Sequence, residues 1–416
     1  MNLRFLVALV LAMLCSFAAQ AGEWARFRGP NGSGLAAGEV PAQWETSNRL
    51  WKVELPGSGH GSPIVWGGRV FVLCGDEETG RRTAVCLSTK DGAILWKHDA
   101  PGEAYRHHRF NSVASSTPAA DGERVYFSWG SPEKLTVAAF HHDGRTIWEA
   151  DLGPVKREHG YGCSPIVHDG LVILSNDQES DCALFALDAA TGHVRWRLPR
   201  AENHSNFATP CIYQPAGGPA QVIVSSWRLG ITGVELATGR QLWQKAVFGQ
   251  KQERAIASPF VTGDLVIANC GFAGRDKHVV VLRPGATAGT MDEAWRVEKS
   301  APHIPSPIVV GDRAFLWNDL GVVTCVKLAT GEIVWSERVP GEFFASPVAA
   351  GGRIFGVDKQ GVVTILKAGD KLEVLARHEL GEATQATPAI AEGRLYLRTL
   401  THLHCIGART ATATRS

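Results

Sequence analysis

The chain has almost no surplus of either charge. Its 42 lysines and arginines face 41 aspartates and glutamates, a formal net charge of +1 over 416 residues. Nucleic acid is gripped by a basic stripe that displaces counterions, so this balance argues against a nucleic-acid partner. No run of like charges suggests an anionic membrane surface. Long apolar runs are missing beyond the first residues, so no transmembrane segment is expected. Catalytic signatures are equally scarce. Gly-x-Ser-x-Gly does not occur, and Gly57-Ser58-Gly59-His60-Gly61 fails its spacing. There is no Walker loop, no His-Glu-x-x-His, no EF-hand loop and no Cys-x-x-Cys. Carboxylate pairs for glycoside cleavage stay open, because the partners would come from distant parts of the chain.

What is present begins with a targeting pattern. Arg4 precedes an apolar stretch from Phe5 to Ala19, and Ala19-Gln20-Ala21 has the small-x-small form of a cleavage site. Residues 1–21 are therefore expected to be a signal peptide, the mature chain to begin at Gly22, and the location to be periplasmic or secreted. Leu14 before Cys15 is a poor match to a lipoprotein signal, which weighs against a lipid anchor. Eight cysteines follow, most of them in strand-like apolar runs, as in Val323-Thr324-Cys325-Val326. That setting reads as buried, inert thiol. Cys74 with Cys86 is the pair whose neighbouring strands would allow a disulfide.

One signal recurs along the chain: Ser or Thr, then Pro, then apolar residues. It stands at Ser62, Thr117, Ser164, Thr209, Ser258, Ser306, Ser346 and Thr387, with a period of about 46 residues. That period suits four-stranded propeller blades. In the third repeat, Ile166-Val167, Leu171 to Ser175, Leu184 to Asp188 and Val194 to Trp196 read as four strands separated by turns. Proline cannot donate to a ladder, so it belongs at the start of an edge strand, the innermost one. The hydroxyls before it are expected to satisfy backbone groups at strand starts. The last repeat lacks a fourth strand, and Arg49 to Glu54 with Trp51 supplies one from the N-terminus. Such closure removes an exposed edge. The expected fold is all-β: an eight-bladed β-propeller over residues 49–407, with a lead-in at 22–48 and a disordered tail at 408–416.

Leu184-Phe185-Ala186-Leu187-Asp188-Ala189-Ala190-Thr191-Gly192-His193-Val194-Arg195-Trp196 resembles the pyrroloquinoline-quinone (PQQ) repeat, and Trp24-Ala25-Arg26-Phe27-Arg28-Gly29-Pro30 resembles the lead-in of secreted bacterial proteins of that class. The resemblance implies the fold. It is shared by quinoprotein alcohol and sugar dehydrogenases and by a propeller lipoprotein of β-barrel assembly that binds no quinone, so it leaves the chemistry open. The adjacent cysteines of quinoprotein alcohol dehydrogenases are missing here.

Strand order sorts the loops onto two faces. The tight turns hold Asp-Gly and Thr-Gly pairs, which is turn chemistry. The other face collects His60, His107, Arg109, Asn111, Trp129, Arg157, His159, Tyr161, Asp177, His204, Trp227, Arg228, Arg254 and His303. That composition suits a binding surface. Two functions follow as expectations. One is a monomeric, non-catalytic binding or scaffolding module for a peptide, protein or small polar ligand, with no cofactor required. The other is a PQQ-dependent oxidoreductase with quinone and Ca²⁺ at the channel mouth. There Arg109, Arg157, Arg228 or Arg254 would pair the quinone carboxylates over Trp227. Glycan cleavage is a third.

Overall fold

The computed structural model describes residues 22–45, 48–156, 159–179, 181–202, 204–249, 254–272, 275–287 and 289–408. The expected signal peptide, nearly all of the tail and Arg157 lie outside them. The fold is an eight-bladed propeller, each blade a four-stranded antiparallel sheet. The first blade comprises β3 (Ile64–Trp66), β4 (Arg69–Gly75), β5 (Arg82–Ser88) and β6 (Ile94–Ala100), from the channel outward. The inner strand has only two or three residues in every blade. The two middle strands are buried along nearly their whole length, because both their faces pack against neighbouring blades. That explains their continuous apolar runs. The eight cysteines from Cys74 to Cys405 are all buried thiols. Cys74 lies opposite Thr83 and Cys86 opposite Phe71, so the register keeps that pair apart.

The outermost pair of strands has a register shift in every blade. In the first, Trp96 faces Cys86 but Ile94 faces Leu87, which leaves Leu95 as an extra residue. A bulge of this kind re-aims a side chain. Here it accompanies a tryptophan that docks on the next blade. The Trp148 indole donates to Ala189 O at 3.0 Å, and Trp196 to Leu236 O at 2.9 Å. The turn glycine is the other half of this dock. Gly192 has φ 75°, and a Cβ there would lie 2.6 Å from the Trp148 ring. The Thr-Gly turn and the Trp are thus one inter-blade joint.

The eight Ser/Thr before Pro form a ring around the channel. Around the ring, except from Ser164 to Thr209, the N–H of one donates to the hydroxyl of the next: Ser62 to Thr117 (2.9 Å), Thr117 to Ser164 (2.9 Å), and on to Thr387, which donates back to Ser62 (3.0 Å). Seven of the eight links are present. The hydroxyls do satisfy backbone groups at strand starts, but those of the neighbouring blade.

The last blade closes as expected. β2 (Arg49–Glu54) pairs antiparallel with His402–Ile406, with Trp51 opposite Cys405. The lead-in adds a feature. Trp24 exchanges hydrogen bonds with Val65, and Ala25 O accepts from Ala120 N at 2.8 Å. Asn31 exchanges two bonds with Ile212, and Gly34 O accepts from Ala349 N at 2.8 Å. β1 (Leu35–Ala36) then runs parallel to the inner strand of the seventh blade. Val65, Ala120, Ile212 and Ala349 each stand three residues past a ring hydroxyl, toward the tight turns. The lead-in therefore stoppers the channel from the tight-turn face. Among the described residues no helix is long and apolar enough to cross a membrane.

Candidate functional site

With one end stoppered, the channel becomes a well that opens on the other face. Its volume is about 130 Å³. Phe27 of the lead-in lines its floor, the hydroxyl ring its waist, and His60, Phe207, Ile304, Phe344 and Gln385 its mouth. Gln385 Nε2 reaches His60 Nε2 at 3.4 Å. Burial, then the charge of Arg398, then His107, push the His60 imidazole down to about 4, so it is neutral at pH 7.

Above the well, the loop between the first and second blades crosses the mouth. Phe110 meets Phe344, from the loop before the seventh blade, edge to face at 5.0 Å. The Lys359 ammonium sits 4.7 Å from both rings, and Arg109 lies 4.6 Å from the Phe110 ring. Such cation–aromatic contacts are worth about 0.5–1 kcal/mol each at exposed sites. The same loop holds His107, whose Nε2 lies 2.8 Å from Glu77 Oε2 and whose Nδ1 lies 3.1 Å from His108 O. Both ring nitrogens face acceptors, so His107 is not placed to activate a hydroxyl. His108 stacks on His159 at 4.9 Å. On the next side, His204 and Trp227 meet at 5.1 Å. Arg228 is exposed, and Arg254 pairs its backbone with Gly271.

Other candidates are placed in structural roles. Trp129 is 6% exposed, in the core between the first two blades. Tyr161 is buried and its hydroxyl reaches Ser128 Oγ at 3.2 Å. Asp177 forms a fully buried pair with Arg200, at 2.7 and 3.2 Å. Asn111 donates to His159 O at 2.6 Å and braces the crossing loop. His303 is buried, and its N–H donates to Asp319, which also holds Lys277 at 2.7 Å. Of the thirteen candidates among the described residues, only His60 lines the well. Phe27, Phe110, Phe344 and Lys359 organise floor and mouth; Phe344 and Lys359 stand on the loops that strand order assigns to this face, while nothing in the sequence pattern marks Phe27 or Phe110.

A quinone with Ca²⁺ does not fit these residues. Cofactor pockets measure about 300–1,000 Å³, and this well is smaller. Among the described residues no carboxylate and no tryptophan lines it. Ca²⁺ needs several oxygen ligands, carboxylates chief among them. Among the described residues no group of three or more His, Cys, Asp or Glu is placed to hold a metal ion.

A family model described as outer membrane protein assembly factor BamB matches residues 38–158, 108–289 and 275–399. A polyvinylalcohol dehydrogenase from a Pseudomonas species is 31% identical over 218 residues, which is 47% of this chain and 31% of that protein. The matched segment thus spans about a third of that relative's own length. Among solved structures, BamB from Moraxella catarrhalis aligns with a TM-score of 0.65 at 16% identity, covering 87% of this chain and 98% of its own. Quinohemoprotein alcohol dehydrogenase from Comamonas testosteroni aligns with a TM-score of 0.65 at 12% identity, covering 97% and 83%. These two likenesses show the fold.

Proposed function

Because the chain belongs to the family described as outer membrane protein assembly factor BamB, we propose that it is a non-catalytic binding or scaffolding propeller. It engages a peptide or protein segment on the face where the well opens. The mature chain acts as a monomer in the periplasm or outside the cell. The observation that carries this reading is the crossing loop. Phe110 and Phe344 come from opposite sides of the mouth and hold Lys359 and Arg109 beside their rings. Aromatics with cations on a rigid ring of loops make a docking surface for a segment that alternates apolar and acidic side chains.

Fluorescence anisotropy with labelled acidic, aromatic-containing decapeptides tests it. Selected peptides bind saturably, and Phe344→Ser with Lys359→Glu weakens them about tenfold or more, as expected for loss of an anchor. PQQ-dependent dye reduction by the mature protein with added Ca²⁺ would overturn it.

The oxidoreductase reading keeps the support of the dehydrogenase name that curated relatives such as the Pseudomonas protein carry. Titration with PQQ and Ca²⁺, followed by the absorbance of the quinone, decides it. No saturable binding at micromolar concentration ends that alternative.

A further inference from the structure

Three arginines stand next to the channel ring without an acid. Arg28 Nη2 donates to Pro307 O at 2.6 Å, and Arg26 Nη2 donates to Pro210 O. Arg398 Nη1 donates to Gly61 O and Leu73 O, both at 2.7 Å. Pro307, Pro210 and Gly61 each adjoin a ring residue: Ser306, Thr209 and Ser62. All three side chains are buried, Arg28 at 0% and Arg398 at 1% exposure. Several of their N–H groups have no acceptor: Nε of Arg26, Nε and Nη1 of Arg28, Nε of Arg398. Among the described residues no ion pair involves any of them. Burial lowers the Arg26 guanidinium to about 10; burial and then the Arg26 charge lower Arg28 to about 9. Both remain cationic at neutral pH.

The ring adds donors. Each hydroxyl oxygen in the seven links accepts a neighbour's N–H. Its own proton is left to donate, and among the described residues none of these hydroxyls has an acceptor within the protein. A buried charge without a partner is costly, by several kcal/mol per ion. The well thus gathers hydroxyl donors and has no carboxylate among its lining residues, while the carbonyls beside three of its ring residues are held by arginines that have no carboxylate partner, Arg28 resting instead 5.3 Å from the Phe260 ring.

We propose that the central well binds one small anion, a halide or a monocarboxylate of acetate size, held by ring hydroxyls in the field of Arg26, Arg28 and Arg398. A cavity of about 150 Å³ admits a benzene-sized guest, so this well admits chloride, formate or acetate and excludes gluconate. The site is independent of the peptide-binding reading, and either can fail without the other.

Chloride-35 NMR on the mature protein tests it. The expected result is a saturable excess linewidth, removed by formate or acetate and left unchanged by gluconate at equal ionic strength. Replacing chloride by gluconate is also expected to lower the His60 titration midpoint, because an anion in the well favours the protonated ring. Ala257→Phe fills the well from its lining and abolishes the broadening. Equal displacement by gluconate and acetate, an absent linewidth, or broadening retained in a folded Ala257→Phe protein would each overturn the proposal. Should that variant not fold, the displacement series on the native protein decides alone.

Discussion

At the scale of the residue, the most exacting environments belong to two histidines. His404 is fully buried in the last blade, and neither ring nitrogen has a partner. Burial, with the charges of Lys52 and Arg49, holds it down at about 3. His60 is held at about 4. An unfolded histidine takes up a proton near pH 6.5. Between pH 6.5 and about 4 the unfolded chain therefore binds more protons than the folded one, and stability falls as pH drops through that window. The expected loss is about 2–5 kcal/mol by pH 4, read from urea midpoints measured across pH. His404→Leu is expected to flatten that curve, and an unchanged slope would show that His404 does not carry it.

At the scale of the element, the joint between blades is the turn glycine under the neighbour's indole. Gly192→Ala is expected to cost at least about 2 kcal/mol, since it strains a positive φ and drives a Cβ into Trp148. Gly170→Ala, at φ 73° with nothing within 4 Å, is expected to cost about 1 kcal/mol. Equal losses in thermal or urea unfolding would reduce the joint to ordinary turn chemistry. Strands, turns and the place of Trp51 were legible in the sequence because each rests on a local rule that recurs around the ring: proline at an edge, glycine at a turn, an indole after it in all blades but the seventh. Side-chain direction at the mouth was not. Both faces of the middle strands are covered by neighbouring blades, so alternation does not separate Trp129, which points into the core, from a residue that faces solvent. Asp177 reads as a face residue in the sequence because its buried partner, Arg200, lies outside any local spacing pattern. The course of the lead-in was hidden for another reason. Arg26 and Arg28 bind backbone carbonyls, which every sequence offers.

At the scale of the whole molecule, the N-terminal segment does two separable things. It stoppers the channel with residues 22–36 and then closes the ring with β2. Deleting residues 22–36 is expected to leave a folded monomer of lower melting temperature. Deleting residues 22–54 removes β2 as well and leaves His402–Ile406 as an open edge, a template for pairing with another chain. That protein is expected to associate, which light scattering after size exclusion would show. A soluble, cooperatively folding monomer lacking β2 would mean that closure is dispensable.

The clasp between Arg49–Glu54 and His402–Ile406 also governs time. Contacts between residues so far apart in the chain form late, because loop closure must be met before they return anything. The N-terminal strand, which leaves the ribosome first, has to wait for His402–Ile406 with its edges unpaired. The last blade is thus a checkpoint that only a full-length chain can pass. Until then the waiting segment presents the apolar, edge-exposed surface that holding chaperones recognise.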